Sequence, residues 1–261
     1  MNKKTDARKK KAVKRRKRKM ILNRIAIILF LLTLIGAVGF GIFKLISSVF
    51  AVKNIYAQNT VYYDKEDIIE ASGINNGDNL LFLNTSDIEF RIYKKLPYIS
   101  SSKVIKLFPD KIKIETKTSS PMYAICHENV YFFFDSDHKF LENKEQMVPE
   151  IPVIKGINFS VSEGSKAVYE DPESAEIILL VINAFKNNLL SLEEIDLSDK
   201  NNIIALYDNR IRIILGSKED IDYKILTAHE LISGKIGSEE RGTLDLSKLK
   251  ENNKSYFTPE E

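Results

Sequence analysis

Hydrophobic positions along the chain follow two regimes. Through residues 25–43 they are unbroken, IAIILFLLTLIGAVGFGIF, nineteen residues with no charge and one hydroxyl. If Lys44 snorkels to the surface, the run extends to Leu45-Ile46 and gives a span at 25–46. About 20 residues at a 1.5 Å rise cross a hydrocarbon core of roughly 30 Å. The pattern predicts a single transmembrane helix. A cleaved signal peptide is the competing reading, with Val49-Phe50-Ala51 as its cleavage site, but its apolar region runs to only about 7–15 residues.

Past the span, apolar positions alternate or recur with helical spacing. Residues 50–57 alternate and stop at Gln58-Asn59-Thr60, a strand and turn. Asp64 offers an N-cap with Asp67 at N3; Ile68, Ile69 and Ala71 follow, and Gly73 ends the helix. Asn75-Asn76-Gly77-Asp78 is a dense turn signal. A second helix opens near Asn84-Thr85-Ser86, repeats Ile88, Ile92 and Leu96 every four residues, and stops at Pro97. Residues 103–107 and 111–116 alternate as strands about Phe108-Pro109-Asp110. The order β-α-α-β-β over 50–118 predicts a two-layer α+β domain.

A second, β-rich domain is expected over 121–247. Its first strands are 121–126 and 129–135, turning at His127-Glu128, followed by a polar turn at 135–139. Asp171-Pro172-Glu173 starts a helix with Pro at N1, and its apolar stripe is Ile178, Val181, Ile182, Phe185 and Leu189. Two strands meet at Asp208-Asn209. A further helix over 219–233 presents Ile221, Ile225, Ala228 and Ile232 on one face, and 242–247 is the last strand. The remainder, 248–261, reads as a flexible polar tail. The fold class is therefore α+β: one transmembrane helix, a β-α-α-β-β domain, and a mixed β-rich domain with two or more helices.

Charge adds an orientation. Residues 1–24 hold thirteen Lys/Arg against Asp6, whereas residues 25–261 hold 26 Lys/Arg against 35 Asp/Glu. Lys14, Arg15, Arg16, Lys17, Arg18 and Lys19 stand just before the span, and flanks rich in Lys/Arg stay in the cytoplasm. The tail 1–24 is thus expected inside and the acidic body outside. Nucleic-acid binding by the same run has no interleaved aromatics or motif behind it, so orientation and lipid contact are the better reading.

Catalytic readings are weak. His229-Glu230 lacks the second His of a zinc-protease helix, and one cysteine excludes a multi-Cys zinc site. Asp135, Asp137 and His138 fit a polar turn better than a metal site. Cys126 and His127 are neighbours on a strand and point to opposite faces, a poor nucleophile–base pair, so Cys126 reads as a buried structural thiol. The glycines at 36, 39 and 41 lie in the span and are followed by no phosphate-binding Lys-Ser/Thr. No metal, cofactor or catalytic residue is assigned. A membrane-anchored envelope enzyme such as a wall hydrolase stays as the alternative, one that would need a convergent acid/base or metal site.

Several segments together resemble the FtsQ family, called DivIB in Gram-positive bacteria. These are residues 52–59, 64–68, Gly77-Asp78-Asn79-Leu80-Leu81-Phe82, Leu96-Pro97-Tyr98-Ile99, 104–109 and Pro121-Met122-Tyr123-Ala124. Their order behind a basic tail and a span is that of a POTRA domain followed by a β domain. Thr118-Ser119-Ser120 stands where the family often has Glu-Arg before the last Pro, and Ser247 where its last strand has Arg. The resemblance implies a non-catalytic divisome scaffold in the cell membrane, enriched at the septum, that supports septal peptidoglycan synthesis. It implies docking of the small bitopic proteins FtsB (DivIC) and FtsL at the last β strand, with other divisome proteins at the POTRA domain. Here that strand is Thr243, Leu244, Asp245, Leu246 and Ser247, beside Arg210 and Arg212.

Overall fold

The computed structural model describes residues 3–252 and 254–260, with the backbone alone for 3–18 and 251–252. Helix α1 runs over Lys3–Val49. Its part Lys19–Val49 reaches a mean hydropathy of 2.7 and is unburied, and among the described residues it is the one helix long and apolar enough to cross a membrane. Phe30, Ile35 and Phe40 are each more than 60% exposed. A core helix of a soluble protein would bury such side chains; an unburied helix apolar all round fits a single transmembrane span. Lys19 is exposed; the side chains of Lys14, Arg15, Arg16, Lys17 and Arg18 lie outside the described residues.

The chain divides into two compact units. One comprises α1 through Tyr56 with Asn75–Leu83 and Lys106–Lys113; the other comprises Ala57–Ile74, Asn84–Ile105 and Ile114–Glu261. Strand β1 (Asn54–Tyr56) is shorter than its alternation predicts. Ala51 bridges Asn79, and the Val52 N–H bonds the Asp78 carbonyl, so this stretch pairs with the 75–80 turn instead.

Helix α2 (Lys65–Ser72) begins with the predicted capping box between Asp64 and Asp67 and ends at Gly73, which takes a left-handed φ of 66°. Helix α3 (Thr85–Lys95) starts where the Asn84 side chain accepts the Ser86 N–H, and buries Ile88 and Ile92. Strands β2 (Ile99–Leu107) and β3 (Lys111–Thr118) complete a three-stranded sheet of order β1-β3-β2, with β1 parallel to β3.

The larger sheet has nine strands. Along the chain come β4 (Tyr123–His127), β5 (Val130–Phe134), β6 (Phe140–Lys144) and β7 (Val153–Lys155). A two-stranded ribbon, β8 (Phe159–Ser160) and β9 (Val168–Tyr169), precedes α4 (Glu173–Asn187). Strands β10 (Glu194–Asp196), β11 (Ile203–Tyr207) and β12 (Ile211–Gly216) lead to α5 (Ile221–Gly234). Last come β13 (Gly242–Asp245), the single turn α6 (Leu249–Asn252) and β14 (Tyr256–Pro259). The order across the sheet is β14-β13-β12-β11-β10-β7-β4-β5-β6.

Helices α4 and α5 pack together, and their apolar faces share one core with Ile195, Ala205, Ile213 and Leu244 of the sheet. Burying each such Ile or Leu contributes about 1.5–3 kcal/mol. All four predicted α5 residues are buried. On α4, Ile178, Val181, Ile182 and Phe185 are buried but Leu189 is 91% exposed. The helix stops at Asn187, and Leu189 takes a φ of 55°, which turns it away from the stripe. The β4–β5 turn falls at Glu128-Asn129, both with positive φ, one residue later than expected. Cys126 is half-buried and free, not a buried thiol.

Candidate partner-binding edge

Strand β13 pairs in parallel with β12, so that Arg212 faces Thr243 and Ile213 faces Leu244. The Gly242 N–H bonds the Arg210 carbonyl and the Leu246 N–H bonds the Ile214 carbonyl. Alternation then directs the backbone groups of 242, 244 and 246 toward β12, and those of Thr243 and Asp245 the opposite way. Side chains follow the same period: Leu244 and Leu246 are buried, while Thr243, Asp245 and Ser247 are half-buried on the other face.

The outward edge of β13 is not free. Strand β14 pairs antiparallel with it, matching Thr243 with Thr258 and Asp245 with Tyr256. This corrects the reading of 248–261 as a flexible tail throughout: residues 256–259 form an edge strand. Phe257 leans on the main core, and a Cβ at Gly242 would lie 2.3 Å from the Thr258 carbonyl, so only glycine allows this approach. The Glu260 N–H bonds the Arg241 carbonyl. By the period of two, the nitrogens of Phe257 and Pro259 then face away from β13, and Pro259 has no hydrogen to donate. The outer side of β14 therefore offers one N–H over its four residues, a blunted edge.

The two arginines differ. Arg210 is enclosed, its side chain only 11% exposed, and its guanidinium donates to the carbonyls of Gly237 (3.1 Å) and Glu240 (2.9 Å) and to Asp208 (3.0 Å). It fixes the loop that delivers β13. Arg212 is exposed on β12 beside Thr243.

The other singled-out polar residues are tied into the fold. The Asp135 carboxylate accepts the backbone N–H groups of Asp137 and Lys139 and the Ser119 hydroxyl, as a turn acid does. The Tyr123 hydroxyl lies 2.6 Å from Nδ1 of His138 and 2.5 Å from the Tyr169 hydroxyl. Burial pushes Tyr169 up to about 12, raises Tyr123 further, and lowers His138. Among the described residues, no three His, Cys, Asp or Glu side chains gather as a metal site would need. Thr118, Ser119 and Ser120 line a cleft of about 900 Å³ with Asp137 and Glu150.

Sequence reasoning missed Lys139. It is fully buried, with Nζ on the carbonyls of Tyr93 (2.7 Å), Leu96 (3.2 Å) and Ile99 (2.7 Å) and 3.8 Å from the Tyr93 ring. It closes the C-terminal end of α3, where helical carbonyls lack partners. Nearby, Lys94 bonds Ser165, and Gly164 has a φ of 61° with no room for a Cβ beside the Lys94 carbonyl.

Comparison with known proteins finds similar chains. Residues 50–117 match the family described as POTRA domain, FtsQ-type. Cell division protein DivIB of Clostridium tetani is 26% identical over 207 residues, 76% of this chain and 76% of its own. Cell division protein DivIB of Clostridium botulinum (strain Hall) is 24% identical over 237 residues, 89% of this chain and 90% of its own. Cell division protein FtsQ of Syntrophotalea carbinolica is 29% identical over 132 residues, 49% of this chain and 46% of its own. The chain is thus similar over most of its length to cell division proteins named DivIB, and its residues 50–117 match an FtsQ-type POTRA domain.

Proposed function

We propose that the protein is a non-catalytic divisome scaffold, anchored by one span with its N-terminus in the cytoplasm. Its body outside the membrane binds FtsB/DivIC-like and FtsL-like bitopic proteins and so supports septum formation and septal peptidoglycan synthesis. The observation that carries this reading is similarity over most of the chain to relatives named cell division protein DivIB. The POTRA domain serves recruitment and further divisome contacts.

The partner strand pairs with the outward edge of β13. Thr243 and Asp245 supply the backbone groups, with Ser247 and Arg212 lining the same face. Leu244 and Leu246 hold the strand on the core, and Arg210 holds the loop before it. The span 254–260 makes way, because β13 has two edges and β12 keeps the other.

Substitution by proline at Thr243 tests this, since it removes a donor on the partner side and leaves the β12 ladder whole. Leu244→Pro would instead cut into the β12 ladder. The full chain in detergent is expected to retain the FtsB/DivIC-like partner, and Thr243→Pro to weaken it by roughly tenfold, about 1.4 kcal/mol. Unchanged affinity in a folded variant would remove β13 as the site.

A further inference from the structure

The compact unit that contains α1 also contains two loops, and we propose that these form a rim that seats in the outer surface of an anionic lipid bilayer around the end of the span. The inference rests on α1 being a transmembrane helix. It does not depend on any protein partner.

The loops are held against the first residues after the helix. The Leu80 N–H bonds the Phe50 carbonyl, the Val52 N–H bonds the Asp78 carbonyl, and the Gly77 N–H bonds the Val52 carbonyl, all at 2.8 Å. From the hairpin, Phe108 meets the Phe50 ring edge-on at 6.0 Å between centroids. Lys53 bonds Asp110 at 2.9 Å. Both loops are thus anchored within four residues of Val49, the end of α1.

Depth follows from the helix rise. Counting from Arg24, the last charge before the apolar run, a core of roughly 30 Å ends about 20 residues later, near Lys44. A headgroup layer of roughly 5–7 Å adds about four or five residues and ends near Val49. The tilt usual for such helices, about 20°, draws Phe50 slightly further in. The loops tied to Phe50 therefore stand at the headgroup level.

Their composition suits that level. Leu81 is 42% exposed, Phe82 72%, Leu107 40% and Phe108 58%. Leu81 and Phe82 on one segment and Leu107 and Phe108 on the other thus expose large apolar side chains beside residues tied to the end of the span, as interaction surfaces do. Charge selects lipid as the occupant. Within 50–56, 75–83 and 106–113, four lysines stand against Asp78 and Asp110, whereas the rest of the chain after residue 50 holds twenty-one Lys/Arg against thirty-three Asp/Glu. A basic, apolar rim on an otherwise acidic body, continuous with the span, has the make-up of an interfacial anchor.

The chain has no tryptophan, so single-tryptophan variants report one place each. The full chain is reconstituted in vesicles of phosphatidylcholine and phosphatidylglycerol, with and without lipids brominated near the headgroup. Phe82→Trp and Phe108→Trp are expected to emit toward the blue and to lose at least half their emission to bromine. Leu189→Trp, at a 91% exposed site on the other unit, is the solvent reference. Phe40→Trp, within α1, reports insertion and is read with a deep brominated lipid. Unquenched Phe82→Trp and Phe108→Trp beside a quenched Phe40→Trp overturn the rim, keep the span, and leave the patch to a protein partner. An unquenched Phe40→Trp overturns the span and the rim together. A Phe82→Ser/Phe108→Ser double variant keeps the fold test separate: it should insert and unfold as wild type does.

Discussion

Lys139 is a cationic residue held in a fully buried environment. Burial lowers its pKa to about 8, against the pull of the Asp135 carboxylate, with Lys94 also lowering it. Three carbonyls and the Tyr93 ring receive the ammonium in place of water. Lys139→Met leaves those carbonyls short of a donor and is expected to destabilise the protein by about 3 kcal/mol at pH 7. The sign with pH is fixed by linkage. A folded pKa below the unfolded value, near 10.5, means that the folded state holds fewer protons between about pH 8 and 10.5. Lys139 therefore gains stability as pH rises through that window, and the gain is lost as pH falls through about 8. Denaturant unfolding of both proteins at pH 7 and pH 10 should show the gap widening at the higher pH. A constant gap would mean that the carbonyls match water as a host for the charge.

Strand β14 shows how an element forms without announcing itself. Residues 256–259 read Tyr-Phe-Thr-Pro, too short and polar for an alternation signal; pairing with β13 makes them a strand. Removing residues 254–261 bares the β13 edge. It is expected to tighten partner binding by about threefold to tenfold and to lower stability by about 1–2 kcal/mol, chiefly through loss of Phe257. Calorimetric titration of the truncated full-span protein checks both the affinity and its sign, and weaker binding would make β14 part of the docking surface. Other elements were legible because their signals are local. The Asp64–Asp67 box and Gly73 bracket α2, and Asp208-Asn209, both at positive φ, close the β11–β12 hairpin. What depended on distant partners was not legible: the burial of Lys139, the turn of Leu189 out of the α4 stripe, and the role of Arg210 as a loop clasp. Of the candidate site, the sequence pattern located β13 to within two residues but not the strand that covers it.

Orientation belongs to the whole molecule. Thirteen Lys/Arg before the span, against one acid, set a bias that no contact in the folded body can supply. Replacing the basic residues of 9–19 with neutral ones is expected to scramble insertion while leaving the folded body intact. Leu189→Cys in a Cys126→Ser background gives one exposed thiol on the acidic body. In cells with a permeable wall, a membrane-impermeant maleimide should label this thiol nearly fully behind the native tail. Behind the neutral tail, labelling should fall by about half or more, and detergent should restore it. Full labelling behind both tails would assign orientation to the span and the body, and would leave the basic run for contact with the inner leaflet.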